Sequence, residues 1–280
     1  MMKSLVVIDA CSLINLLRID EDDDFLYKHL KLFDIHIAKT VYDELLTNVF
    51  KNSIDVADKK RISVVLSLIQ TDFTLHQDEE IFNDIGRVFL DKTVHYTNHH
   101  KKPNGELCST LLSLVLSRSE ESKICFITDD FPAKEQFKCF FSVQQIGVIQ
   151  DSIDLLISMH WLSPQEEFPL NTLKHKLIDL RAECVRNLKV FLDDVSSIKR
   201  DLRRTDKEWK LLDDVEHAFY NSSGKWEDFS LAINAIRESN SKKVRRLRDR
   251  IPITNESPKM VKKVNFVLGE LNKVEIFKLV

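Results

Sequence analysis

Apolar residues fall in short runs through the first half of the chain and at helical intervals through the second. Residues 5–8 (Leu-Val-Val-Ile) have the length and composition of a buried strand. The run stops at Asp9, and Leu13, Ile14, Leu16 and Leu17 resume it with the spacing of a helix face. Residues 25–33 are short and apolar-periodic. Residues 35–38 read as a second strand, leading into a helix over 40–46 with Thr40 as its N-cap. The spacing of Val56, Ile62, Val65, Leu66 and Ile69 predicts a helix over 55–70. A short strand is expected at 73–75 and a helix at 79–90. Residues 106–116 are a mostly apolar helix, 124–127 a third clear strand, 142–149 a final strand and 152–160 a helix. Strands alternating with helices predict an α/β fold.

From residue 161 the pattern changes. Residues 161–169 read as a boundary, dividing the chain into domains 1–160 and 161–280. Beyond it Leu173, Leu177, Leu180, Cys184, Leu188, Phe191, Val195, Ile198 and Leu202 recur at threes and fours. That is an amphipathic helix of about four heptads. Trp209 and Leu212 extend the same face past a weak point at 204–206. With no regular e/g charge pattern, a folded helical bundle is favoured over an extended coiled coil. The tail, 264–280, alternates apolar and polar residues, and is expected to finish the bundle or dock on a partner protein.

At 280 residues the chain is comfortable for two domains, and 43% hydrophobic with 30% charged residues is a globular balance. No apolar run approaches the ~20 residues of a membrane span, and the N-terminus lacks a signal-peptide cleavage pattern. No membrane association and a cytoplasmic location are therefore expected. The five cysteines (Cys11, Cys108, Cys125, Cys139, Cys184) are scattered without a CxxC pair, and read as reduced thiols. Net charge is −3, unevenly spread: residues 240–263 hold nine Lys and Arg against two acids, +7, leaving −10 elsewhere. Within that stretch Lys242, Lys243, Arg245 and Arg246 could contact phosphates by charge. No aromatic is interleaved for base stacking, and a solvated face paired with the acids of 193–216 is the competing reading.

The candidate chemistry lies in acids that follow strands. Asp9 follows the first, and also suits an N-cap. Glu44 follows the second, in a first helical turn that favours acids in any case. Glu106 opens the apolar helix after Pro103-Asn104-Gly105, and Asp129 and Asp130 follow Thr128 after the third clear strand. The loop before Glu106 is basic, with Lys101 and Lys102 able to meet nucleic acid. His95 and His99 within it have i,i+4 spacing, but no third ligand completes a zinc site. The acidic turn at 20–24 reads as solvated. In a parallel sheet the carboxyl ends of the strands share one edge, so these acids can converge. Unpaired carboxylates brought together repel, and a hard divalent cation such as Mg²⁺ or Mn²⁺ resolves the conflict. Such an ion can activate water against a phosphodiester. The same acids suit phosphatase chemistry.

The order of these pieces resembles the PIN domain, a family of metal-dependent nucleases acting mostly on RNA. The resemblance spans residues 4–150. It is carried by VVIDACSLINLL, TVYDELL, NGELCSTLLSL and CFITDDFPAK. It implies an α/β/α sandwich with a central parallel sheet, dependence on Mg²⁺ or Mn²⁺, and single-stranded RNA as substrate. It further implies Asp9, Glu44, Glu106, Asp129 and Asp130 as the catalytic acids. Of these Asp9, Glu106 and Asp130 would be the metal ligands, with Ser12 and Thr128 accessory. Asp130, two residues after Thr128, fits the family spacing better than Asp129. The chain departs from the family where Glu106 replaces the more usual Asp, and where Cys11 stands in place of a polar residue. The expected function is endoribonuclease cleavage that leaves a 3′-hydroxyl and a 5′-phosphate. The C-terminal helices would select RNA, form a homo-oligomer or bind a regulatory protein. A catalytically degenerate binding module and a partner-regulated toxin or defence nuclease are the alternatives.

Overall fold

The computed structural model describes residues 3–20, 25–49, 56–82, 104–221, 226–239, 241–242, 244, 247 and 251–278. Contacts divide the chain into two units, Met1–Lys176 and Leu177–Val280.

The first unit is an α/β fold around a five-stranded sheet in which every strand is parallel to its neighbour. In chain order it runs β1 (Ser4–Ile8), α1 (Ala10–Arg18), α2 (Phe25–Leu30), β2 (Phe33–Ala38), α3 (Lys39–Val49), α4 (Val56–Asp72), β3 (Thr74–His76) and α5 (Asp78–Phe82). It continues with α6 (Gly105–Ser119), β4 (Ile124–Ile127), α7 (Phe131–Val143), β5 (Gly147–Gln150) and α8 (Ser152–Leu162). The strand order is β3-β2-β1-β4-β5. β1 and β4 hold the centre because Val6, Val7, Ile8, Ile124, Phe126 and Ile127 are apolar on both faces, as a doubly covered strand requires. α6 packs on β1, β2 and β4 and is buried along most of its length.

Several elements differ from the sequence reading. Residues 131–143 form α7, where the sequence pattern predicted no helix and 142–143 were assigned to the final strand. Pro132 stands in its first turn, where a missing N–H costs nothing, and Asp130 caps it by accepting from the Ala133 N–H at 2.9 Å. The final strand therefore starts at Gly147, not at 142. The turn before it uses Gln145 at φ 52° and Gly147 at φ 157°. A Cβ on Gly147 would lie 1.9 Å from the Ile124 carbonyl oxygen, so only glycine fits there. Thr40 is inside α3 and does not cap it. Its own N–H and hydroxyl are instead bound by Asp78. Of the helix expected at 79–90, the described residues form α5.

The first unit also reaches further than residue 160. Phe168 is buried and meets the Phe25 ring edge-on at 4.9 Å, with His29 and His160 beside it. Lys176 donates to the Ile19 carbonyl at 2.7 Å. The segment read as a boundary is thus anchored, and the division falls at 176/177.

Helix α9 (Leu170–Arg200) crosses that division, and the second unit continues with α10 (Lys207–Asn221), α11 (Trp226–Glu238) and α12 (Ile251–Lys278). The apolar face of α9 does not run on through Trp209. The chain turns after Arg200, where Asp206 accepts from the Arg203 N–H, and α10 folds against α9. Phe191 and Val195 of α9, Leu212 and Val215 of α10, and Phe229 and Ile233 of α11 share one core. Lys199 locks the turn, pairing with Asp213 and, at 2.6 Å, with Glu216 while lying over the Trp209 ring. The unit is a helical bundle, and the described part of the 264–280 tail belongs to α12. Among the described residues no helix is long and apolar enough to cross a membrane.

Candidate active site

The chain winds outward from β1 through β2 to β3, then crosses back to lay β4 on the other side of β1. The carboxyl ends of β1 and β4 thus flank the point where the sheet's winding reverses, the place where open α/β sheets bind ligands. Asp9 follows β1 and Thr128, Asp129 and Asp130 follow β4. The two edges are stitched together, with the Asp9 N–H donating to the Ile127 carbonyl at 3.1 Å.

Asp9 is buried and caps α1, its Oδ1 accepting from the Ser12 N–H at 3.0 Å. The Thr128 hydroxyl donates to Oδ2, and the Cys11 thiol lies 3.1 and 3.3 Å from the two oxygens. These donors favour the charged form, but burial outweighs them and pushes the carboxyl from 3.8 to about 6. Ser12 contributes its backbone; its buried hydroxyl has no hydrogen-bond partner among the described residues.

Glu106 stands in the first turn of α6. Asn104 caps that helix and donates from Nδ2 to Glu106 Oε2 at 3.1 Å. The Glu106 carboxyl is raised well above the ordinary value, first by burial, then by its hydrogen bond to the Asp130 carboxylate and by the charges of Asp130 and Asp9. Two carboxyls in direct contact need a proton or a cation between them. Asp9, Glu106 and Asp130 therefore form one electrostatic group. Glu44 lies at the surface on α3, where its Oε1 accepts from the Gly105 N–H at 3.0 Å.

Asp129 is placed differently from its neighbour. It is 3% exposed and turned to Asn15 of α1 and Ser152 of α8, which supply three donors. Beside it, Lys134 of α7 forms a 2.6 Å pair with Asp151, the N-cap of α8, with both side chains largely buried. Asn15, Ser152, Lys134 and Asp151 were not singled out from the sequence, and Asn104 and Gly105 only as part of the turn before Glu106. The one local signal was the Asp151-x-x-Asp154 capping box.

No family model matches this chain, and no curated protein or solved structure does either. The site is therefore read from its own groups. Among the described residues no three His, Cys, Asp or Glu side chains close around a point that could hold a metal ion. The donor chemistry nevertheless suits a hard cation. It is all oxygen, and the neighbouring Asp130 carboxylate disfavours the charged form of Glu106, a conflict that a divalent ion relieves. Lys101, Lys102, Lys243, Arg245, Arg246, His95 and His99 lie outside the described residues. Lys242 is exposed, in the second unit.

Proposed function

We propose that the α/β unit is a PIN-like nuclease, a divalent-metal-dependent endoribonuclease that hydrolyses phosphodiester bonds of single-stranded RNA. The observation that carries this reading is the Glu106–Asp130 pair, with Asp9 close enough to perturb it, at the switch point of an all-parallel sheet. Asp9, Glu106 and Asp130 would hold Mg²⁺ or Mn²⁺. When bound, the ion supplies Lewis-acid stabilisation of charge on the scissile phosphate and promotes ionisation of water.

The chain's own groups do the rest. Thr128 and the Ser12 N–H fix the rotamer of Asp9. Asn104 holds the Glu106 carboxyl on the first turn of α6, and the helix N-terminus favours its negative charge once the proton leaves. Glu44, pinned by Gly105, adds a surface carboxylate at the same helix end, suited to orienting water.

A second reading is favoured by one observation: both oxygens of Asp9 already have protein donors. The unit would then bind RNA or a protein without cutting. Labelled single-stranded RNA separates the two when incubated with Mn²⁺, with Mg²⁺ or with EDTA. The nuclease reading expects metal-dependent cutting by the wild type and none by the Asp9→Asn, Glu106→Gln double variant. RNA retained but left intact under every condition supports the binding module and rejects the nuclease.

A further inference from the structure

Asp129 is an acid of this sheet edge whose two carboxylate oxygens both accept from other helices, α1 and α8. Its Oδ2 accepts from Asn15 Nδ2 at 2.8 Å and from Ser152 Oγ at 2.6 Å, and its Oδ1 from the Ser152 N–H at 2.8 Å. The donors come from α1 and from the first residue of α8, while Asp129 sits between β4 and α7. α1 begins directly after Asp9, and α7 directly after Asp130. The Lys134–Asp151 pair ties α7 to α8 a second time.

We propose that Asp129 is a positioning residue: the Asn15–Asp129–Ser152 brace fixes the starts of α1, α7 and α8 to one another and so sets where Asp9 and Asp130 stand. The proposal rests on the nuclease reading above for what the positioned acids do, but the brace itself has a readout that is independent of it.

The test uses the full-length protein and polarity swaps within the brace. Asn15→Asp sets two carboxylates against each other across a 2.8 Å contact. It should lower kcat on single-stranded RNA by about a hundredfold, the loss an ångström-scale misplacement brings, and lower the unfolding temperature. Asp129→Asn keeps the brace, because Asn15 can turn its amide oxygen towards the new NH₂ group. It should keep Mn²⁺ binding and the wild-type unfolding temperature. Combining Asp129→Asn with Asn15→Asp restores a donor–acceptor pair, and should recover both rate and unfolding temperature. Loss of Mn²⁺ binding in Asp129→Asn, as expected for Asp130→Asn, would make Asp129 a ligand and overturn the proposal. A double variant no better than Asn15→Asp would overturn it too. If the wild type neither binds Mn²⁺ nor cuts, the nuclease reading falls, and the brace stands or falls on the unfolding temperatures of the four proteins.

Discussion

The carboxylate of Glu44 lies against Gly105 so closely that a Cβ there would stand 2.7 Å from Oε2, while the Gly105 N–H donates to Oε1 at 3.0 Å. The glycine opens the helix that carries Glu106, so the absence of one methyl group lets two acids share a helix end. Gly105→Ala should displace Glu44 and slow RNA cleavage while leaving stability nearly unchanged, since alanine suits a helix better. In a Glu44→Ala background the clash is gone. There the same substitution should stabilise by up to about 1 kcal/mol. Denaturant midpoints and cleavage rates of the four proteins check this. An unchanged rate in Gly105→Ala would remove Glu44 from the site.

Asp9 holds its proton more tightly in the folded chain than in the unfolded one. Between the ordinary value of 3.8 and about 6 the folded protein is the more protonated, so stability falls as pH rises through that window. The full penalty, about 3 kcal/mol for a shift of that size, is present above pH 6. Asp9→Asn keeps an N-cap and removes the charge. In EDTA at pH 7 the variant should therefore unfold at a higher temperature than the wild type, with the difference vanishing below pH 4, and it should not cleave. Thermal unfolding from pH 4 to pH 8 measures both limbs.

His36 Nδ1 and His76 Nε2 face each other at 2.8 Å, joining β2 to the edge strand β3. Only one of the facing nitrogens can carry a proton. Burial, then the charge of His36, lowers the pKa of His76 below 6.5, against the opposite pull of Glu80 and Asp34. The folded state therefore binds the fewer protons, and the contribution of this contact is intact above pH 6.5 and lost as pH falls below it. Amide protection in residues 74–76 should be lower at pH 5 than at pH 7.5. His76→Gln should make it independent of pH.

What could be read in advance follows from where the signal resides. β1 and β4 were legible because a strand covered on both faces must be apolar throughout, and the acids after them interrupt that run abruptly. β5 lies at the edge of the sheet and is half exposed, so its start was placed too early. α7 was hidden because Pro132 reads as a breaker anywhere but in a first turn. The brace around Asp129 was out of reach for a different reason: Asn15 and Asp129 are 114 positions apart, and a neutral amide on a helix carries no periodic signature. In the second unit, the periodicity of α9 was plain. Its end depends on Asp206 binding the Arg203 N–H, which a heptad count does not see.

If Glu106 and Asp130 hold a divalent ion in place of a proton, metal binding must release that proton. Titrating Mn²⁺ into the metal-free protein at pH 7, in two buffers of different ionisation heat, measures binding and proton release together. One site is expected, with release of about one proton per ion and loss of both in Glu106→Gln. Failure to bind Mn²⁺, or binding without proton release that survives Glu106→Gln, would contradict that expectation.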